Sequence, residues 1–151
     1  MNIRSLCNTE VVTARASDEL STAAALMRDR HVGYLIVADP LPLGGWSKPV
    51  GVLTDRDIVV EVLAKGVDPK SVTIGDIMTR SPVVVEETRS IDYALHEMRR
   101  IGIRRIPIVG AAGQLIGVLS IDAVVEHLAK ELADVSGSIR SELRIEQNFR
   151  T

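Results

Sequence analysis

The sequence predicts an α+β fold: two β-α-β-β-α repeats packed as a pseudo-two-fold pair, with small mixed sheets and flanking helices. Three observations predict it. Gly51–Val52–Leu53–Thr54–Asp55–Arg56–Asp57 is echoed by Gly117–Val118–Leu119–Ser120–Ile121–Asp122–Ala123, an offset of 66 residues from position 51 to 117. Upstream the two copies align at an offset of 71, with Met27 falling on Met98. Each copy is too short to cover its own apolar sheet face, so the two must pack together.

The elements follow in order. Residues 3–12 lie over residues 74–84, with Ile3 on Ile74, Leu6 on Ile77 and Cys7 on Met78. Cys7 therefore occupies an apolar slot, which predicts a packed thiol rather than a reactive one. Val11–Val12–Thr13 and Val83–Val84–Val85 read as short β segments. Helices follow, the first with Ser17 or Asp18 as N-cap and Leu20, Ala23, Ala24 and Met27 at helical spacing. The second runs from Ser90 through Ile91, Ala94, Leu95 and Met98. His31–Val32–Gly33 and Gly102–Ile103–Arg104 end them, and Tyr34–Leu35–Ile36–Val37 and Arg105–Ile106–Pro107–Ile108–Val109 read as buried strands.

Between Ala38 and Val50 the first copy carries a longer hairpin loop rich in proline and glycine, which holds Trp46. Trp46 either meets a partner or folds back over the prolines of that loop. The strand 50–53 then enters a helix at 55–64, stopped by Lys65–Gly66. The second copy repeats this at 116–119 and 121–132. The divisions are thus repeat one over 1–66, a linker at 67–73, repeat two over 74–133 and an amphipathic tail over 134–151. Leu128, Leu132, Val135, Ile139 and Leu143 form an apolar stripe, interrupted at Ser136–Gly137–Ser138. Such a tail docks on its own domain or pairs with another subunit.

Composition narrows the function. Apolar residues make up 46 % and aromatics 3 %, so the core is aliphatic. A net charge of −2 provides no basic field for nucleic acid. No apolar run approaches the roughly 20 residues of a membrane span, and the start lacks the apolar region of a signal peptide. A single cysteine excludes an internal disulfide and a cysteine-based zinc site, and the expectation is a soluble cytoplasmic protein. His31, His96 and His127 lack metal-ligand spacing, and neither a catalytic triad nor a glycine-rich phosphate loop stands out, so an enzyme is not expected.

Asp76–Ile77–Met78–Thr79, Arg105–Ile106–Pro107–Ile108–Val109 and Gly51–Val52–Leu53–Thr54–Asp55–Arg56–Asp57 resemble the CBS domain, whose copies pair as the Bateman module. The resemblance runs over about residues 3–133 with nothing else attached, as in a stand-alone CBS pair. It implies a regulatory module that binds an adenosine nucleotide (AMP, ADP, ATP or S-adenosylmethionine) between the repeats, with no cofactor or metal required. It implies a homodimer stacked through the CBS helices, for which the Ala/Met faces near residues 23–27 and 92–98 are the candidates, and an unidentified regulated partner. The rival reading is an assembly protein whose CBS pair binds nothing.

In this family the hydroxyl at the strand end and an acid three residues on hold phosphate and ribose, which points to Thr54 and Asp57. The chemistry is sound, because a carboxylate accepts both ribose hydroxyls and a helix N-terminus favours phosphate. Thr-x-x-Asp is also a helix capping box, and the two roles can coexist. The resemblance places Ser81, Pro82, Val83, Arg104 and Arg105 opposite that pair. Arg104 and Arg105 are phosphate candidates that can equally snorkel or pair with a neighbouring helix. Arg56 is a weaker candidate, and Pro82, Val83 and Ile103 offer an apolar slot for adenine. In the second copy Ala123 stands where the acid should be. Asp122 comes one position early, about 100° around the helix. Opposite Ser120 stand Glu10, Val11, Val12, Gly33 and Tyr34, without a guanidinium, so one competent site per chain is expected.

Overall fold

The computed structural model describes residues 2–40 and 47–149. The first copy runs α1 (Ile3–Leu6), β1 (Thr13–Ala14), α2 (Leu20–Arg30), β2 (Tyr34–Pro40), β3 (Ser47–Thr54) and α3 (Asp55–Ile58), which continues as a π-helix over Val59–Leu63. The second runs α4 (Ile74–Ile77), β4 (Thr79–Arg80), β5 (Val85–Glu86), α5 (Ile91–Ile101), β6 (Arg105–Val109), β7 (Leu115–Ser120) and α6 (Ile121–Phe149). Among the described residues the strands form two mixed sheets, β1-β2-β3-β4 and β5-β6-β7. In each, one short strand pairs in parallel and the central hairpin is antiparallel. Residues 41–46 of the long hairpin loop, Trp46 among them, fall outside the described residues.

The apolar runs explain the strands. Leu35, Ile36 and Val37 are fully buried, as are Ile106 and Ile108 in the second copy. Continuous burial of this kind needs cover on both faces of a strand. The helices cover one face with residues three and four apart: Leu20, Ala23 and Met27 on α2, Ile91, Ala94 and Met98 on α5. This corrects one expectation. Ala23 and Met27 on α2 and Ala94 and Met98 on α5 are spent on the cores of their own chain, whereas Ala24 stays exposed. A third cluster of Ile36, Ala38 and Val118 joins the two sheets.

The opening turns are exchanged between the copies. β4 comes from the second copy but completes the first copy's sheet, pairing Gly51 with Arg80 and Val52 with Thr79. Reciprocally, Asn8 bridges Val118, with both backbone hydrogen bonds at 2.9 Å. Ile3 sits in the second copy's core, while Ile74 and Met78 sit in the first's. The Arg4 guanidinium meets the Glu87 carboxylate at 3.0 Å across the same exchange.

Several local expectations are corrected. Neither Ser17 nor Asp18 caps α2: Glu19 is the N-cap without a side-chain bond, and Asp18 accepts from the Arg15 N–H at 3.0 Å. The Val72 carbonyl accepts from the Leu20 N–H at 3.1 Å, so the linker satisfies one of the donors that a cap would take. The short strands lie at 13–14 and 85–86, later than expected, because they take their register from β2 and β6. The helix after Thr54 is α-helical only to Ile58 and then widens. The Ala64 N–H bonds to the Val59 carbonyl and the Val67 N–H to Val62, at 2.9 and 3.0 Å. Val62 is thereby buried while Val59, Val60 and Leu63 are exposed.

The largest correction concerns α6. It passes without a break through Ser136–Gly137–Ser138, where the Ser138 hydroxyl donates to the Asp134 carbonyl at 3.0 Å. One glycine costs about 1 kcal/mol against alanine, too little to break so long a helix. Apart from partly covered Ser136, residues 128–149 are exposed. The described part of the tail, residues 134–149, therefore does not dock on its own body, and Leu132 and Val135 remain 70 % and 58 % accessible.

Candidate functional site

A cavity of about 760 Å³ opens between the repeats. The first repeat contributes the end of β3 and the first turn of α3. Thr54 is the N-cap of α3, and its hydroxyl accepts from the Asp57 N–H at 3.1 Å. The Asp57 carboxylate returns the bond, Oδ2 accepting from the Thr54 N–H at 2.9 Å. The capping box therefore forms, and Asp57 Oδ1 has no hydrogen-bond partner among the described residues. Asp55 Oδ1 accepts from the Arg56 N–H at 2.8 Å, and the Asp55 N–H bonds to the Gly33 carbonyl at 3.1 Å. An added Cβ at Gly33 would stand 2.4 Å from Asp55 Oδ2, so glycine gives this carboxylate its room.

The exchange of opening turns builds the opposite wall. β4 runs along the edge of β3, and Ser81, whose N–H bonds to the Val50 carbonyl, turns the chain with φ at 50°. A left-handed serine is uncommon, and such positions gather at functional sites. Pro82 and Val83 follow, half-buried along the cavity. Gly102 ends α5 in the left-handed conformation, φ 77°, and the Ile103 N–H closes back on Met98 at 3.0 Å. That turn delivers Ile103, Arg104 and Arg105 to the rim.

Thr54, Arg56, Asp57, Ser81, Pro82, Val83, Ile103, Arg104 and Arg105 all line this one cavity. Sequence reasoning missed Asp55, Thr79, Ile101 and Pro107, which line it too. Thr79 and Pro107 stand two positions from Ser81 and Arg105, so alternation along the strands was the available signal for them, whereas Asp55 and Ile101 lie at helix ends beside named residues. One of the alternatives for Arg104 is realised, since its Nη2 pairs with Asp122 Oδ1 on the neighbouring helix α6 at 2.9 Å. One expectation is corrected. Arg105 is not confined to one cleft. A second cavity of about 220 Å³, lined by Glu10, Val11, Val12, Gly33, Tyr34 and Ser120, has Arg105 in its wall as well.

Tyr34 and Arg105 divide the two cavities. They occupy equivalent positions, opposite Thr54 in β3 and Ser120 in β7 respectively. The Arg105 guanidinium lies 5.9 Å from the centre of the Tyr34 ring. Burial pushes the Tyr34 phenol well above its ordinary value, and the Arg105 charge only partly opposes this. The phenol is therefore a neutral donor throughout the physiological range. Among the described residues, no three histidine, cysteine or acidic side chains gather as a metal site.

These features define a duplicated α+β module with a roomy and a small cleft that meet at Tyr34 and Arg105. The CBS domain profile matches residues 3–64 and 74–130, and the chain belongs to that family, carrying the domain twice. Hypoxic response protein 1 of Mycobacterium tuberculosis is 31 % identical over 125 residues, which cover 83 % of each chain. An uncharacterised protein of Methanopyrus kandleri is 28 % identical over 83 % of this chain, which spans 62 % of that protein's length. A CBS domain protein from Pyrobaculum aerophilum, solved in complex with AMP, superposes with a TM-score of 0.70 at 25 % identity. That match covers 82 % of this chain and 89 % of the other. No helix among the described residues is long and apolar enough to cross a membrane.

Proposed function

We propose that the chain is a regulatory, non-catalytic module that senses an adenosine nucleotide in the larger cleft and alters a partner or its own assembly in response. The observation that carries this reading is the convergence of Thr54, Asp57, Arg104 and Arg105 on one 760 Å³ cavity. That volume lies within the roughly 300–1,000 Å³ of small-molecule sites, whereas 220 Å³ falls below it. Asp57 Oδ1 is open to the ribose hydroxyls, and the α3 N-terminus and the arginines favour phosphate. Pro82, Val83, Ile101 and Ile103 offer the base an apolar slot. The AMP complex of the Pyrobaculum relative supports the ligand class.

Thermal unfolding with AMP, ADP, ATP and S-adenosylmethionine tests the proposal. A ligand at about 100 times its dissociation constant adds roughly 2.7 kcal/mol, a shift of several degrees. Asp57→Asn is the informative control, because an amide oxygen still accepts from the Thr54 N–H while the charge is lost. The expected result is a shift in the wild type that shrinks in Asp57→Asn. No shift with any ligand, from protein purified free of nucleotide, favours the rival reading of an assembly module. That rival draws on the satisfied capping box and on the exposed stripe of α6.

A further inference from the structure

Asp122 is the residue at which the second copy departs from the repeat, and its position gives the departure a consequence. It lies in the first turn of α6, one place too early to serve a ribose in the small cleft. Instead its carboxylate crosses to the rim of the large cleft, where Oδ1 holds Arg104 Nη2 at 2.9 Å. The backbone fixes the same juncture, since the Arg104 carbonyl accepts from the Ile121 N–H at 2.9 Å. Arg104 and Asp122 are thus held together by the start of α6 whether or not their side chains touch. Both side chains are solvent-accessible, 74 % and 63 %, so the pair is open to exchange.

We propose that Asp122 is a built-in competitor for the ligand's phosphate: nucleotide binding takes Arg104 from Asp122, and the ion pair sets phosphate affinity and links cleft occupancy to α6. This rests on the reading of the large cleft as a nucleotide site. The geometry leaves little alternative for Arg104, whose guanidinium donates to no other group among the described residues. A phosphate that takes Arg104 through Nη2 breaks the 2.9 Å bond, and one that takes it through Nη1 or Nε shares the guanidinium with Asp122; either way it stands beside the Asp122 charge. Adenosine, which has no phosphate, meets neither cost. Release of Asp122 also returns its charge to the N-terminus of the helix that carries the exposed stripe.

The test is equilibrium binding of AMP and adenosine at low salt to the wild type, Asp122→Asn, Asp122→Glu, Arg104→Gln and the Asp122→Asn/Arg104→Gln double variant. Exposed ion pairs of this kind correspond to about a two- to fivefold change in affinity. Asp122→Asn is expected to tighten AMP by that factor and leave adenosine unchanged, with Asp122→Glu close to the wild type. The gain is expected to vanish in the Arg104→Gln background and to narrow as salt is raised. Unchanged AMP affinity in Asp122→Asn, an equal gain for adenosine, or a gain that persists without Arg104 overturns the proposal while leaving the nucleotide site standing. Absence of AMP and adenosine binding in the wild type overturns this proposal, and the nucleotide-site reading falls with it where ADP, ATP and S-adenosylmethionine fail to bind as well.

Discussion

The two glycines that anchor the sequence repeat have a common cause at the level of single residues. A Cβ on Gly117 would stand 2.6 Å from the Asn8 backbone carbonyl and 2.9 Å from Cys7 Sγ. A Cβ on Gly51 would meet the Met78 side chain and the Thr79 carbonyl at 3.1 Å. In each case the other copy's opening turn crosses directly over the strand, so the glycine marks a close approach rather than a turn. Met78 has a flexible tip that can move aside, but the Asn8 carbonyl is tied into a two-bond bridge with Val118. Gly117→Ala is therefore expected to cost roughly 1–3 kcal/mol, with Gly51→Ala costing less, as read from urea midpoints. Equal and negligible losses would mean that the opening turns are not held where the structure has them. The same crossing accounts for Cys7. Its thiol is packed at the second copy's core, donates to the Arg4 carbonyl and is pushed to a higher pKa by burial, as its apolar slot predicts. At this scale the residues that line the larger cavity were legible because Thr54–Asp57 and Arg104–Arg105 stand at positions that the family resemblance singles out. The pairing of Arg104 with Asp122 was not, because it joins residues 18 apart across a strand hairpin and breaks the pattern that made the rest readable.

Among the elements, periodicity made helices and central strands legible and misjudged what depends on a partner. The apolar spacing on α2 and α5 fixed their buried faces, but a face that reads as free in sequence was already occupied at home. The π-helical turn at Val59–Leu63 left no compositional mark, since it arises from bonding and packing rather than from helix propensity. α6 shows the opposite error: glycine flanked by serines reads as a break, yet a continuous ladder of hydrogen bonds carries the helix through. Its outer half is amphipathic, and the apolar stripe on it is open among the described residues. Leu132, Val135, Ile139 and Leu143 are all more than half exposed. A chain truncated after Ala133 is therefore expected to keep its thermal midpoint at low protein concentration while losing helical ellipticity. A fall of several degrees would show that the outer half contributes to the fold of its own body.

At the scale of the whole molecule, the exchange of opening turns governs how the repeats depend on each other. Two copies joined only by a linker and an apolar face could open independently, each with its own stability. Here the second core contains Ile3 and the first contains Ile74 and Met78. The first copy's sheet ends in a strand from the second. Neither repeat is complete without the other, which ties the cleft between them to the integrity of both and favours one cooperative transition. Ile3 tests this, since it is fully buried and lies far in sequence from the strands that it supports. Ile3→Ala removes a large side chain from the second core and is expected to cost about 2–5 kcal/mol. The loss should lower amide-exchange protection equally in β2–β3 and in β6–β7, because both sheets open in the same event. Loss of protection confined to β6–β7, with β2–β3 unchanged, would mean that the repeats unfold separately and that the shared turns do not couple them. Coupling of this kind is also what a sensor needs. In the proposed reading, a ligand between Thr54 of one copy and Arg104 of the other would act on two bodies that cannot move without disturbing each other's cores.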